Sequence, residues 1–135
     1  MDIRVAIFED NKLVRDALEA ILNGTPGYSC SGAYADAQLL LSRIKSSNPD
    51  VVLMDIEMPG ISGIEATKLI AKEFPDVKVL IQTVFNDSEK IFLALSAGAS
   101  GYVWRATGLS RLACRSYGPC TSRDLATINR TLLRN

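Results

Sequence analysis

Residues 51–63, VVLMDIEMPGISG, join an apolar run to an acid and then to a stretch of turn-forming residues. The run at 51–54 is apolar at every position, which predicts a strand buried on both faces of a sheet. Asp55 follows it directly, and Pro59, Gly60 and Gly63 mark a loop. Apolar residues at helical spacing begin again at Ile64. The stretch therefore predicts a buried strand that ends in an acid, then a loop, then a helix.

The same alternation runs through most of the chain. Further short apolar runs predict strands at 3–8, 28–34, 77–81 and 101–104. Apolar residues at helical spacing predict helices around 14–22, 39–44, 64–70 and 91–97, the first with Asn11 as its N-cap. Doubly buried strands that alternate with helices predict an α/β fold with a parallel sheet covered on both faces.

Composition limits the classes of protein that the chain can belong to. Its 135 residues fit one domain, and no apolar run is long enough for a membrane span. The start carries an acid and does not resemble a signal peptide, so we expect a cytoplasmic protein. The chain has no histidine, which excludes Ser-His-Asp catalysis and histidine-ligated zinc. Its three cysteines lack the spacing of a zinc site or a disulfide framework.

The charge distribution changes near residue 105. Residues 101–135 hold six Arg and one Asp, whereas all six Lys lie within the first hundred residues. The last predicted strand, at 101–104, also ends there. We therefore expect a domain core at 1–105 and an atypical C-terminal segment at 106–135.

Polar side chains follow four of the five predicted strands. They are Glu9 and Asp10 after the first strand, Asp55 after the third, Thr83 at the end of the fourth and Arg105 after the fifth. In an open parallel sheet, ligands bind beyond the carboxyl ends of the strands. Three clustered carboxylates repel one another and need a cation, and all-oxygen ligands suit Mg²⁺. The pattern therefore predicts one shared site that binds Mg²⁺.

The residue types at this site suit phosphoryl transfer. An Asp carboxylate can form an acyl phosphate, which makes Asp55 a candidate nucleophile. A metal ion would neutralise the incoming phosphoryl group. The Thr83 hydroxyl could donate to one phosphoryl oxygen, and Arg105 could pair with another.

Several motifs together resemble the receiver domain of two-component response regulators. The acidic pair in FED at 8–10, the segment VVLMDIEMPGISG at 51–63, Thr83, and GASGYVWR at 98–105 fall in the family's order and on the expected elements. TVFND at 83–87 and GYVWR are closest to receivers of the NarL/LuxR type. The resemblance implies a flavodoxin-like fold of five strand–helix units with strand order 2-1-3-4-5.

The resemblance also implies a metal site and a phosphoacceptor. Asp10 and Asp55 would bind Mg²⁺ directly, together with the backbone carbonyl of Glu57, while Glu9 would act mainly through water. Asp55 would accept a phosphoryl group from a sensor histidine kinase or a histidine phosphotransfer protein. Slow loss of the chain's own phosphoryl group is expected, which is not turnover of a substrate, so the chain is not expected to be an enzyme.

Two residues would carry the switch that the resemblance implies. Thr83 would move toward the phosphoryl group and Tyr102 would change rotamer, so that the face of the fourth helix and fifth strand is remodelled. This is a population shift between two states. The alternative for Tyr102 is a half-exposed strand aromatic without a switching role.

The sequence departs from the family at two places. The family's basic residue after the fifth strand is normally Lys, and Arg105 stands there instead, which predicts weaker phosphoryl coupling. Residues 106–135 do not resemble the family's last helix, because Gly118 and Pro119 interrupt the apolar spacing. This segment is either frameshifted or truncated, or it forms a rearranged helix pair. A shortened last helix would favour a homodimer, in which the 122–134 helix could be exchanged.

Other classes of function remain open. A pseudo-receiver would dock partner proteins without phosphorylation. A flavodoxin-like cofactor binder would need a Gly-rich or hydroxyl-rich loop after the first strand, where the chain has EDNK. An aspartyl-phosphate phosphatase would need a cap for which the chain lacks length. Direct DNA binding is not expected, because the tail arginines are scattered.

Overall fold

The described part of the chain forms five strands that alternate with four helices. A computed structural model describes residues 2–83 and 88–104, without the side chains of Thr83, Ser88, Val103 and Trp104. The strands are β1 (Ile3–Phe8), β2 (Tyr28–Tyr34), β3 (Val51–Asp55), β4 (Lys78–Thr83) and β5 (Gly101–Trp104). The helices are α1 (Lys12–Asn23), α2 (Leu40–Ser47), α3 (Gly63–Glu73) and α4 (Ser88–Ser96).

All five strands lie in one parallel sheet in the order β2-β1-β3-β4-β5. The predicted fold class and strand order are therefore confirmed. The chain crosses from β2 over β1 to β3, so the direction of winding reverses between β1 and β3. This reversal places the carboxyl ends of β1 and β3 side by side in the middle of the sheet, where open α/β sheets bind ligands.

The sheet has an apolar core on each face because its central strands are apolar at consecutive positions. Ala6 and Phe8 of β1 face the core under α2 and α3, where Ile44 and Ile70 are buried. Val5 and Ile7 face the opposite core, together with Leu18 and Leu22 of α1. The two cores fix the register of the strands, since a shift by one residue would exchange the two faces.

Side-chain caps start two of the helices at the positions where their apolar spacing begins. The Asn11 side chain accepts hydrogen bonds from the backbone N–H groups of Leu13 and Val14, as expected of the predicted N-cap of α1. The Ser62 hydroxyl accepts from the Glu65 N–H at the start of α3. Both caps lie at the carboxyl edge of the sheet, so they also fix the loops that carry the polar side chains there.

Some details differ from the sequence predictions. The strand predicted at 77–81 begins one residue later and continues to Thr83, because the polar Gln82 interrupts the apolar pattern but not the pairing. Leu39, predicted within the second helix, precedes it in a left-handed conformation (φ 53°) and is 73% exposed. The predicted segment 106–135 lies outside the described residues. Among the described helices, none is both long and apolar enough to cross a membrane.

Candidate functional site

The acidic residues of the site are brought together by the pairing of β1 with β3. Phe8 is the register partner of Met54, so Glu9 and Asp55 are the next residues on two neighbouring strands. Asp10 follows Glu9 in the turn before α1. One carboxylate oxygen from each of the three acids lies within 4.8 Å of the others. The predicted acidic cluster is therefore present at the carboxyl edge of the sheet.

The three acids differ in their exposure to water. Glu9 is buried, Asp55 is half-buried and Asp10 is exposed. Exposure to water therefore increases from Glu9 through Asp55 to Asp10. A ligand from solution can therefore reach Asp10 more readily than Glu9.

Hydrogen bonds hold both the side chain and the backbone of Glu9 in place. The Asn11 backbone N–H donates to its Oε2 at 3.0 Å, and the Gln82 Nε2 donates to its Oε1 at 3.3 Å. The Arg15 Nη1 donates to the Glu9 backbone carbonyl at 2.8 Å. The Asn11 N–H and the Gln82 amide compensate part of the cost of burying the Glu9 carboxylate. They also fix the position of Glu9 without using a metal ion.

Burial and mutual repulsion perturb two of the carboxyl groups. Burial, then the nearby charge of Glu9 and the hydrogen bonds with Glu9 and Asp10, raise the pKa of Asp55 to about 8. Burial also raises the pKa of Glu9, although the Asn11 N–H opposes this effect. Burial and the neighbouring acids therefore oppose ionisation of Asp55 in the metal-free protein. A bound cation would reverse this preference.

The donor set fits a hard divalent cation. The cluster offers carboxylate oxygens and carries three negative charges when fully ionised. Mg²⁺ is commonly held by one or two carboxylates, with water and phosphate oxygens completing its shell. Asp10 is exposed, so water can supply ligands on its side of the cluster. The observed arrangement thus agrees with the chemistry that the sequence predicted for this edge.

The loop after Asp55 is anchored on both sides of Glu57. Ile56 and Met58 are buried, and the Glu57 N–H lies 3.4 Å from Asp55 Oδ1. Gly63 closes the loop by donating its N–H to the Ile56 carbonyl at 2.7 Å. A Cβ on Gly63 would lie 2.1 Å from the Asp55 carbonyl oxygen, so no larger residue fits this approach. The Glu57 backbone is thereby held next to Asp55.

The remaining predicted site residues are described only in part. Thr83 ends β4 opposite Trp104, but its side chain lies outside the description. Arg105 lies outside the described residues. Tyr102 pairs with Ile81 in the sheet and is 46% exposed, which is compatible both with a switching role and with a plain strand aromatic.

Two polar residues near the cluster were missed by the sequence predictions. Gln82 is buried beside Asp55 in the register of β3 and β4 and donates to Glu9. A polar residue inside the apolar segment KVLIQT was the signal that could have revealed it. Lys90, near the start of α4, forms an ion pair with the Glu57 carboxylate. Nothing in the sequence pattern indicated that pair, because it depends on where α4 lies relative to the loop.

Comparison with known proteins assigns most of the chain to one family. The family profile described as "Response regulator receiver domain" matches residues 5–115. The transcriptional regulatory protein YxjL of Bacillus subtilis (strain 168) is 39% identical over 105 residues, which cover 78% of this chain and 48% of YxjL. The chain spans about half the length of the curated relatives that it matches.

Solved structures agree with this assignment. The response regulator domain of Thermotoga maritima CheB is 27% identical with a TM-score of 0.84, and the match covers 97% of this chain and 96% of that one. A LuxR-family response regulator from Aurantimonas sp. SI85-9A1 is 28% identical with a TM-score of 0.73, over 96% and 99% of the two chains. The resemblance to NarL/LuxR-type regulators is thus confirmed. This chain belongs to the response regulator receiver domain family of two-component signalling.

Proposed function

We propose that this chain is a phosphoryl-accepting switch in which Asp55 is phosphorylated in a Mg²⁺-dependent reaction. The observation that carries the proposal is the cluster of Glu9, Asp10 and Asp55, with their oxygens within 4.8 Å at the reversal point of the sheet. Receiver domains generally accept phosphoryl groups rather than turn over substrates, and they typically bind Mg²⁺. The half-buried position of Asp55 suits a phosphoacceptor, because a donor can reach it while its access to water is limited.

The transfer joins one oxygen of Asp55 to the phosphorus of the donor. As the new O–P bond forms, the bond between phosphorus and the leaving group breaks, and its electron pair departs with that group. For a phosphohistidine donor the leaving atom is an imidazole nitrogen, and for acetyl phosphate it is a carboxylate oxygen. The product is an acyl phosphate at Asp55. The attacking oxygen must be ionised, which the raised pKa of Asp55 opposes in the metal-free protein.

The residues around Asp55 divide the tasks of this reaction. Mg²⁺, when bound, would supply positive charge that favours the ionised Asp55 and offsets charge on the phosphoryl oxygens. Asp10, Asp55 and the backbone carbonyl of Glu57 would hold the ion. Glu9 is buried and held by Asn11 and Gln82. It would add negative charge near the ion and contact it mainly through water.

The phosphorylated state would be read out on the face formed by α4 and β5. Thr83 would donate its hydroxyl to the phosphoryl group and Arg105 would pair with it, while Tyr102 changes rotamer. This face already exposes large apolar side chains, among them Phe92 at 67% and Tyr102 at 46%. A face of this composition suits a protein partner or a second copy of the chain.

The physiological donor would be a protein that carries a phosphohistidine. Family membership implies a histidine kinase as partner. The kinase itself or a histidine phosphotransfer protein would supply the phosphohistidine, since this chain contains no histidine. We expect this exchange to take place in the cytoplasm, and we expect no direct DNA contact by this chain.

The proposal is tested by the intact mass of the protein after incubation with Mg²⁺ and acetyl phosphate. We expect one added phosphoryl group, which is absent without Mg²⁺ and absent in an Asp55→Asn variant. An Asp76→Asn variant, changed at an exposed acid of the loop before β4, should be modified like the unchanged protein. Protein that binds Mg²⁺ but gains no phosphoryl group would contradict the proposal and favour a pseudo-receiver that docks partners.

A further inference from the structure

We infer that Lys90 binds the phosphoryl group of the incoming donor, after exchanging its partner Glu57 for that group. The inference rests on the proposed function, because it assigns a task within the same site. Lys90 lies near the start of α4, and its Nζ forms an ion pair with Glu57 Oε1. Glu57 is only two residues beyond Asp55, so the pair brings a positive charge to the loop of the acceptor.

The position of Lys90 is on the approach to the acidic cluster. A cleft of about 440 Å³ opens between the loop after β3 and the start of α4. Asp10 lines this cleft and also belongs to the carboxylate cluster, while Glu57 and Lys90 line it from opposite elements. Of the described residues that line the cleft, Lys90 is the one with a positive charge. A donor that enters through this cleft passes the ammonium group.

The negative charge of the acidic cluster would repel a phosphoryl donor unless a positively charged group lies nearby. Phosphate donors are anions, and they must approach three carboxylates. A bound Mg²⁺ offsets two of those three charges, so the cluster would still repel the donor. A lysine ammonium is a compact charge on a flexible four-carbon stem, which allows it to follow an anion over a short distance. Lys90 can therefore supply attraction where the cluster itself supplies repulsion.

The exchange of partners costs little because the ion pair is exposed. The side chains of Lys90 and Glu57 are 40% and 57% exposed. Ion pairs at such positions are weak, since water and salt screen them. Glu57 remains hydrated when it is released, whereas a phosphoryl group offers more charge and three acceptor oxygens. The present ion pair is thus a resting arrangement that an anionic donor can displace.

Two other roles for the pair predict different results. If the pair only straps the loop to α4, then removing either partner breaks the same contact and both variants change in the same direction. If only the net charge of the region matters, then removing both partners restores the starting behaviour. If Lys90 contacts the donor, Glu57→Gln removes a carboxylate that competes with the donor for the ammonium, Lys90→Met removes the ammonium itself, and the double variant resembles Lys90→Met.

The test measures the second-order rate constant of adduct formation with acetyl phosphate at saturating Mg²⁺. We expect Lys90→Met to lower it by about fivefold, the upper range for an exposed charge contact, and Glu57→Gln to raise it by about twofold. The double variant should stay as slow as Lys90→Met, and Lys90→Arg should retain most of the rate. Lys68→Met, which removes a lysine paired with Glu65 on the surface of α3, is the matched control and should change little.

Binding of inorganic phosphate, measured by calorimetry at saturating Mg²⁺, gives a second readout that does not depend on transfer. We expect Lys90→Met to weaken it and Lys68→Met to leave it unchanged. Equal changes in Glu57→Gln and Lys90→Met, or a double variant that returns to the starting rate, would overturn the inference. If the unchanged protein forms no adduct, the proposed function fails, and the phosphate affinities alone decide the role of Lys90.

Discussion

Replacing Asp55 by Asn should stabilise the metal-free protein, and the gain should depend on pH. In the folded state, burial and the neighbouring acids raise the pKa of Asp55 from its ordinary value of 3.8 to about 8. The folded state therefore holds a proton that the unfolded state releases, so the stability of the unchanged protein falls as pH rises between these values. Below about pH 4 both states are protonated and the penalty is absent. Asn carries no charge and escapes the penalty at every pH.

The size of the effect follows from the shift. For a fully buried carboxyl group, the raised pKa would lower the free energy of unfolding at pH 7 by about 4 kcal/mol. Because Asp55 is partly exposed, we expect a difference of about 2 kcal/mol between the two proteins. Urea unfolding, followed by far-ultraviolet circular dichroism in a metal chelator, measures the difference between the two proteins. We expect the difference to grow from about zero near pH 4 to its full size near pH 8. Asp76→Asn is the matched control and should show no such growth.

A result in the opposite direction would refute this reasoning. If Asp55→Asn were less stable at neutral pH, the carboxyl group would be making favourable interactions that outweigh its burial. If the difference were constant from about pH 4 to pH 8, the pKa of Asp55 would not be raised, and the electrostatic account of the cluster would be wrong. Addition of Mg²⁺ provides an internal check, because it should stabilise the unchanged protein more than the variant.

Three further predictions concern the site and its supporting loops. At a hundredfold excess over its dissociation constant, Mg²⁺ should raise the free energy of unfolding by about 3 kcal/mol. Asp10→Asn should lose most of this gain. Equal stabilisation of both proteins would contradict the metal assignment. Gly63→Ala should destabilise the protein by about 2 kcal/mol or more, because the new Cβ would lie 2.1 Å from the Asp55 carbonyl oxygen. An unchanged melting temperature would show that the loop can move to accommodate the Cβ. Asn11→Ala should lower the free energy of unfolding in urea by about 1 kcal/mol, because it removes the side-chain cap of α1. An unchanged free energy of unfolding would show that this cap does not contribute to stability.

The sheet and its acidic edge were predictable because each depends on local sequence. Apolar runs such as VVLM identify buried strands, and an acid that directly follows a buried strand must lie at the edge of the sheet. Parallel strands bring their carboxyl ends to the same edge, so Glu9 and Asp55 could be placed together before the structure was known. Their proximity in the structure follows from the pairing of Phe8 with Met54.

The interactions that cross between elements were not predictable in the same way. The pair between Glu57 and Lys90 depends on how closely α4 approaches the loop after β3, which no spacing in the sequence reveals. Gln82 made the fourth strand look shorter, since a buried polar residue breaks the apolar pattern that identifies a strand. Leu39 fits the apolar spacing of the second helix with Leu40 and Ile44, although its left-handed backbone puts it outside that helix.

The central claim is that Asp55 is the residue that accepts the phosphoryl group. Borohydride reduces an aspartyl phosphate to homoserine, so protein treated with Mg²⁺ and acetyl phosphate, then reduced, can be digested and mapped by mass spectrometry. The account predicts homoserine at residue 55 and no conversion at Glu9 or Asp10. Conversion at another acid, or none in protein shown to bind Mg²⁺, would contradict it.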